Sequence, residues 1–116
     1  MNKPGEKLKK NSDFQKVYKF GRSFANRLLV VYVLFHPENQ KRRIGFSISK
    51  KVGKAVQRNR IRRLLIEAYR LNQQLFRDDL DLIIIPRKRI VGATYSEVEK
   101  WMIKLFRKAG ILKNHM

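Results

Sequence analysis

The spacing of apolar residues changes several times along this chain, and each change marks a predicted element. Ser12-Asp13-Phe14-Gln15 reads as a capping box, in which Ser12 and Gln15 meet orphan N–H groups at a helix start. The helix runs to about Phe20, stops at Gly21, and carries Phe14, Val17 and Tyr18 on one face. From Leu28 to Phe35 the chain is apolar on both alternations, as in a strand covered on both sides. His36-Pro37-Glu38-Asn39-Gln40 is turn chemistry. From Arg43 to Ser49, Ile44, Phe46 and Ile48 face one way, and the small Gly45, Ser47 and Ser49 face the other. Part of that sheet face is therefore expected to lie open to a ligand.

A long helix follows from near Ala55 to about Phe76, with a buried stripe of Ile61, Leu64, Leu65, Ala68 and Leu71. Asn59, Arg62, Arg63 and Arg70 project from its opposite side, with Arg58 and Arg60 at the borders. Asp81 to Pro86 is an apolar strand closed by proline. Ser96-Glu97-Val98-Glu99 is a second capping box, before a core stripe of Val98, Trp101, Met102 and Leu105, with Gly110 as the C-terminal stop. The order is helix, strand, strand, helix, strand, helix, with a candidate extra short strand around Arg22 to Ala25. This predicts an α+β fold: a single-domain α-β sandwich over residues 1–116, one mixed sheet with about three helices. The arginine-rich helix comes after the second main strand, and residues 1–9 are expected to form a flexible basic arm.

Charge sharpens this picture. The 116 residues hold 28 Lys and Arg against 9 Asp and Glu, a formal charge of +19. Self-repulsion at that density opposes compaction, so a polyanionic partner is expected. Between Asn39 and Ile66 stand ten basic residues and no acid: Lys41, Arg42, Arg43, Lys50, Lys51, Lys54, Arg58, Arg60, Arg62 and Arg63. They run straight into Leu64-Leu65-Ile66, so the charges sit on a segment that folds. Acids would interleave on an ordinary solvated face. Arginine binds phosphate bidentately, and Asn59 can donate and accept at sugar or base edges, which favours RNA.

Other chemistry is thin. No apolar run approaches the roughly 18 residues a membrane span needs, and the polar start Met1–Glu6 leads into no signal-peptide h-region, which points to the cytoplasm. Without cysteine, disulfides and thiolate catalysis are excluded. His36 in a turn and His115 near the C-terminus read as solvated side chains. Asp78, Asp79 and Asp81 could hold Mg²⁺ but read better as a solvated connection. No catalytic residue and no metal ligand is predicted. Phe14 and Tyr18, spaced i and i+4, and Tyr32 read either as core aromatics or as platforms for single-stranded bases.

The block Ser49-Lys50-Lys51-Val52-Gly53-Lys54-Ala55-Val56-Gln57-Arg58-Asn59-Arg60-Ile61-Arg62-Arg63 resembles the signature of the bacterial ribonuclease P protein family. Asp13-Phe14-Gln15-Lys16-Val17-Tyr18 with Gly21, Ala25-Asn26-Arg27, and Asp81-Leu82-Ile83-Ile84-Ile85-Pro86-Arg87 support the resemblance, which spans roughly Leu8 to Leu112. It implies an α-β sandwich with a left-handed crossover into the arginine-rich helix. It implies hydrolysis by an RNA subunit with bound Mg²⁺, the protein alone not being catalytic. Lys50, Lys51, Arg58, Asn59, Arg60, Arg62 and Arg63 would then face the catalytic RNA. Phe14, Tyr18, Tyr32, Ser23 and Ser47 would face the 5′ leader of precursor tRNA. The family often has a further arginine where this chain has Ile66, a charge that Arg70 could replace. The expected partners are the catalytic RNA and precursor tRNA, with no membrane and no DNA. Two rivals share the charge and size: a structural RNA-binding protein of the ribosomal kind, and a DNA-binding regulator. The first needs no aromatic cleft, and the strand-rich order and lack of a tight helix-turn-helix pair in this chain count against the second.

Overall fold

In a computed structural model of the protein, residues 6–38 and 41–113 are described, so Met1–Gly5 of the expected arm and His115 lie outside them. The central strand β5 (Leu80–Pro86) is buried along almost its whole length, as its apolar run requires. It is flanked by β3 (Leu29–Phe35), antiparallel, and β4 (Arg43–Phe46), parallel. Strand β2 (Arg22–Ala25) extends the sheet beyond β3, and the two-residue β1 (Glu6–Lys7) beyond β4. The order β1-β4-β5-β3-β2 makes one mixed sheet, and the predicted α+β class holds.

Helices α2 (Ala55–Asn72) and α3 (Tyr95–Lys108) cover one face, where Leu29, Val31, Val33, Ile44, Leu82 and Ile84 meet Ile61, Leu65, Val98, Met102 and Phe106. Helix α1 (Asn11–Phe20) covers the other through Val17, which packs with Ile83 and Leu8. Each such fully buried side chain contributes about 1.5–3 kcal/mol. Strand β3 is sealed on one side, but Val30, Tyr32 and Leu34 on the α1 side are only half-buried, because ten helical residues cannot roof the whole face.

Several boundaries differ from expectation. Residues 6–9 are not an arm: Leu8 is buried and donates its N–H to Ile44 O at 3.0 Å, extending the pairing of β1 with β4. Helix α1 is capped at Lys10, so the Ser12 box is not used. Gly21 ends it through close approach, since a Cβ there would lie 2.5 Å from Val17 O and 2.6 Å from Val33 O. Helix α3 takes Thr94 with Glu97 as its reciprocal cap, not Ser96 with Glu99. At its other end Gly110, at φ +75°, closes a Schellman motif with Ile111 N–H to Phe106 O at 3.1 Å.

Helix α2 stops at Asn72, and a 3₁₀ turn (Gln73–Leu75) replaces its expected last turn. The buried arc reaches Tyr69, which leaves Leu71 at its margin, 47% exposed. Both shifts occur beside Arg42, one of the ten cations of the acid-free run, to which sequence reasoning gave no structural role. Arg42 is 6% exposed and enters the core beside the end of α2. Its Nε donates to Tyr69 Oη at 2.6 Å, Nη1 to Phe76 O at 2.9 Å, Arg77 O at 3.0 Å and Asp78 Oδ1 at 2.8 Å, and Nη2 to Gln73 O at 3.1 Å. The guanidinium lies 5.4 Å from the Tyr69 ring centroid and 5.7 Å from that of Phe76. One cation thus ties Tyr69 on α2 to the carbonyls of the turn and connection that follow the helix.

Replacing Arg42 with Met keeps the volume but strands those acceptors, so stability to urea should fall by about 2–4 kcal/mol. A loss below about 0.5 kcal/mol, the scale of an ordinary surface substitution, would remove Arg42 from its structural role.

Candidate RNA-binding surfaces

The basic block folds as a turn feeding a helix. Ser49 Oγ accepts the Lys51 N–H at 3.1 Å and starts a 3₁₀ turn (Lys50–Val52) anchored by buried Val52. Gln57 Oε1 takes the Lys54 N–H at 3.0 Å, while the Lys54 side chain has no acceptor with which to complete a reciprocal box. Arg58 Nη1 donates to Gly53 O at 2.8 Å and binds turn to helix. Arg60 Nη2 donates to Ala93 O at 3.0 Å and ties the helix to the loop before α3. Lys50, Lys51, Asn59, Arg60, Arg62 and Arg63 are exposed, and Arg58 is half-buried. Arg70, the candidate replacement for the charge absent at half-buried Ile66, is exposed. Its guanidinium is held by Glu67 at 2.7 Å, and that bond raises its pKa.

The second surface is the α1 side of the sheet. The pairing sets Ser23, Tyr32, Ile83 and Gly45 in one row across β2, β3, β5 and β4. Helix α1 lies over this row. A Cβ on Gly45 would come within 2.6 Å of the Phe14 ring, so the patch expected to be open at Gly45 is roofed by Phe14. Val17 covers Ile83, and the Tyr18 ring stands edge-on to Tyr32 with centroids 4.9 Å apart. One step along the strands, Ala25 is exposed while Val30, Ile85 and Ser47 are half-buried, and this strip remains accessible beside the helix. Tyr18 is 39% exposed. Phe14, Tyr18 and Tyr32 are thus brought together, whereas Ser23 and Ser47 sit at opposite sides of the strip, three strand spacings or about 14 Å apart. Phe20, 65% exposed with Lys19 Nζ 5.4 Å from its ring centroid, is an aromatic that sequence reasoning did not single out. Only its place outside the helix's apolar stripe could have flagged it.

The acids sharpen both surfaces by their placement. Asp78 meets Arg42 at 2.8 Å and Asp79 meets Arg77 at 2.8 Å. Asp81, 2% exposed, accepts a two-pronged Arg43 fork at 2.9 and 2.6 Å, with His36 Nε2 at 2.8 Å. Burial alone would raise the Asp81 carboxyl, but Arg43 and His36 outweigh it and hold the pKa below the ordinary aspartate value. His36 is therefore no solvated turn residue, and Arg43, like Arg42, serves the fold. Each aspartate of the candidate Mg²⁺ cluster is held by an arginine, and among the described residues no group of His, Cys, Asp and Glu side chains has metal-binding geometry. Glu97 caps α3, and Glu99 accepts from Tyr95 Oη at 3.0 Å and Asn72 Nδ2 at 2.8 Å. No helix among the described residues is long and apolar enough to cross a membrane.

Residues 2–110 match the family model described as Ribonuclease P. The chain is similar to the ribonuclease P protein component of Alkaliphilus oremlandii, 44% identical over 93% of this chain and 94% of that one. With its counterpart from Clostridioides difficile it shares 47% identity over 90% and 91% of the two chains. The fold is similar to that of the Staphylococcus aureus RNase P protein, with a TM-score of 0.84, 34% identity, and coverage of 92% of this chain and 97% of that one.

The contacts sort the basic block by role. Alanine at Asn59, Arg62 or Arg63 should change folding stability by less than about 0.5 kcal/mol. Alanine at Arg58 or Arg60 should cost about 1 kcal/mol each for the lost carbonyl bond. Urea titration of the five variants checks the division, and equal losses at all five would contradict it.

Proposed function

The chain belongs to the ribonuclease P protein family, whose role is in processing the 5′ ends of tRNA, and from that premise we propose how its surfaces divide the work. The protein is the auxiliary subunit of a cytoplasmic ribonucleoprotein endoribonuclease. Lys50, Lys51, Arg58, Asn59, Arg60, Arg62 and Arg63 meet the catalytic RNA. Phe14, Tyr18 and Tyr32, with Ser23 and Ser47 at the margins, receive the single-stranded 5′ leader of precursor tRNA. Hydrolysis belongs to the RNA and its bound Mg²⁺, which supplies Lewis-acid chemistry there.

The observation that carries this reading is the segregation of charge. The arginine-rich face of α2 has no acid between Glu38 and Glu67, whereas Asp13, Asp78, Asp79 and Asp81 are all engaged by arginines elsewhere. A surface so constituted neutralises phosphates without folding back on its own carboxylates. The aromatic face complements it. Leaders differ in sequence, and stacking on a ring tolerates any base because every base has a π-face. Holding the leader on one surface and the catalytic RNA on the other brings two polyanions together with fewer metal ions.

Tyr18 tests the division most cleanly because it is exposed and its loss opens no core cavity. Tyr18→Ala should weaken holoenzyme affinity for leader-bearing precursor tRNA by about 1–3 kcal/mol, leaving mature tRNA binding and assembly with the catalytic RNA unchanged. Equal losses on precursor and mature tRNA would contradict leader binding by this face.

A further inference from the structure

Across α1 from the accessible strip lies a second feature. Arg43 on β4 and Ser47 just past its end flank Gly45, two residues to either side on the same face, and Phe14 lies over Gly45 between them. At the Arg43 end, Lys7, Lys9, Lys10, Asp13 and Arg43 line an open cavity of about 430 Å³, within the size range of small-ligand sites. These lysines would have been scattered on a flexible arm; the pairing of β1 with β4 gathers them instead.

The charge around this cavity is unbalanced. Arg43 is matched by Asp81 at 2.6 Å and Asp13 at 3.5 Å. Among the described residues, no ion pair engages Lys7, Lys9 or Lys10. Lys10 is also the N-cap of α1, and it makes no side-chain cap bond, so the positive end of the helix adds to the lysines. Lysine is a point charge on a flexible stem and suits phosphate at a site open to solvent.

We propose that this cavity is a phosphate site, filled by a backbone phosphate of bound RNA and separate from both the aromatic strip and the arginine-rich helix. It rests on the RNA-binding reading above, but not on which RNA segment the aromatic face takes. Asp13 tunes the site from within: its carboxylate repels the phosphate while fixing Arg43.

The test uses the full chain, with inorganic phosphate and leader-bearing precursor tRNA as probes. The parent is compared with Lys9→Gln/Lys10→Gln, whose side chains are exposed, and with Asp13→Asn. Circular dichroism confirms that each is folded. Amide resonances of residues 7–13 should shift saturably with phosphate in the parent, with weaker binding in the double variant and tighter binding in Asp13→Asn. The double variant should also lower the salt dependence of RNA affinity by roughly 0.7 in the log–log slope, the value for one single-strand phosphate. Absence of phosphate-dependent shifts at residues 7–13 overturns the site. Shifts with an unchanged RNA salt slope overturn its assignment to RNA and leave a free-phosphate pocket. Arg62→Ala/Arg63→Ala serves as the control. If that variant keeps full affinity for a bacterial ribonuclease P RNA, the broader RNA-binding reading fails, while the phosphate titration still reports on the cavity.

Discussion

Mutual repulsion among the cations is the constraint under which this structure forms. A chain with 28 basic and 9 acidic residues cannot spread its acids evenly and still leave any surface free for a polyanion. The fold instead concentrates them. Asp78, Asp79 and Asp81 gather at the entry to the central strand, where they hold Arg42, Arg77 and Arg43. Two of those arginines close structural joints: Arg42 ties α2 to the connection that follows it, and Arg43 ties β4 to β5. With the acids so committed, the N-terminal half of α2 is left uniformly positive. The same commitment of the acids that stabilises the interior leaves this part of the exterior positive, as the proposed RNA contact requires.

This segregation also explains why the helices differ in their dependence on packing. Helix α3 is capped locally at both ends, by the Thr94–Glu97 pair and by the Gly110 closure. Helix α2 has no acid in its first turn and carries like charges along one face, which weakens an isolated helix. Its stability comes from Ile61, Leu65, Ala68 and Tyr69 against the sheet, and from the Arg42 cation at its end. An RNA bound along the charged face would relieve the remaining repulsion, so binding and helix stability are coupled in sign.

Periodicity made much of the fold legible. The both-face burial of Leu82-Ile83-Ile84-Ile85, the alternation around Ile44, and the stripe through Ile61, Leu65 and Ala68 were all readable because burial imposes a local period. What escaped was non-local. Arg42 and Arg43 look like any other cations in a basic run; only their partners Tyr69, Gln73 and Asp81, far along the chain, give them structural roles. Leu8 is a lone apolar residue among lysines, too short a signal for a strand. The openness of the Gly45 face was misjudged because alternation reveals which side a residue faces but not that Phe14 will lie over it. Of the candidate sites, the basic surface was legible down to its exposed residues. The aromatic face was legible only as a face, its Tyr18–Tyr32 contact being set by the docking angle of α1.

The central claim is that this chain acts by neutralising and positioning RNA while the RNA partner performs the cleavage. The most direct measurement is the Mg²⁺ dependence of 5′ cleavage of a precursor tRNA by a bacterial ribonuclease P RNA, with and without the protein. The account predicts that the protein moves the cleavage curve to lower Mg²⁺, and that the protein without the RNA cleaves nothing. An unchanged Mg²⁺ requirement, or cleavage by the protein alone, would contradict it.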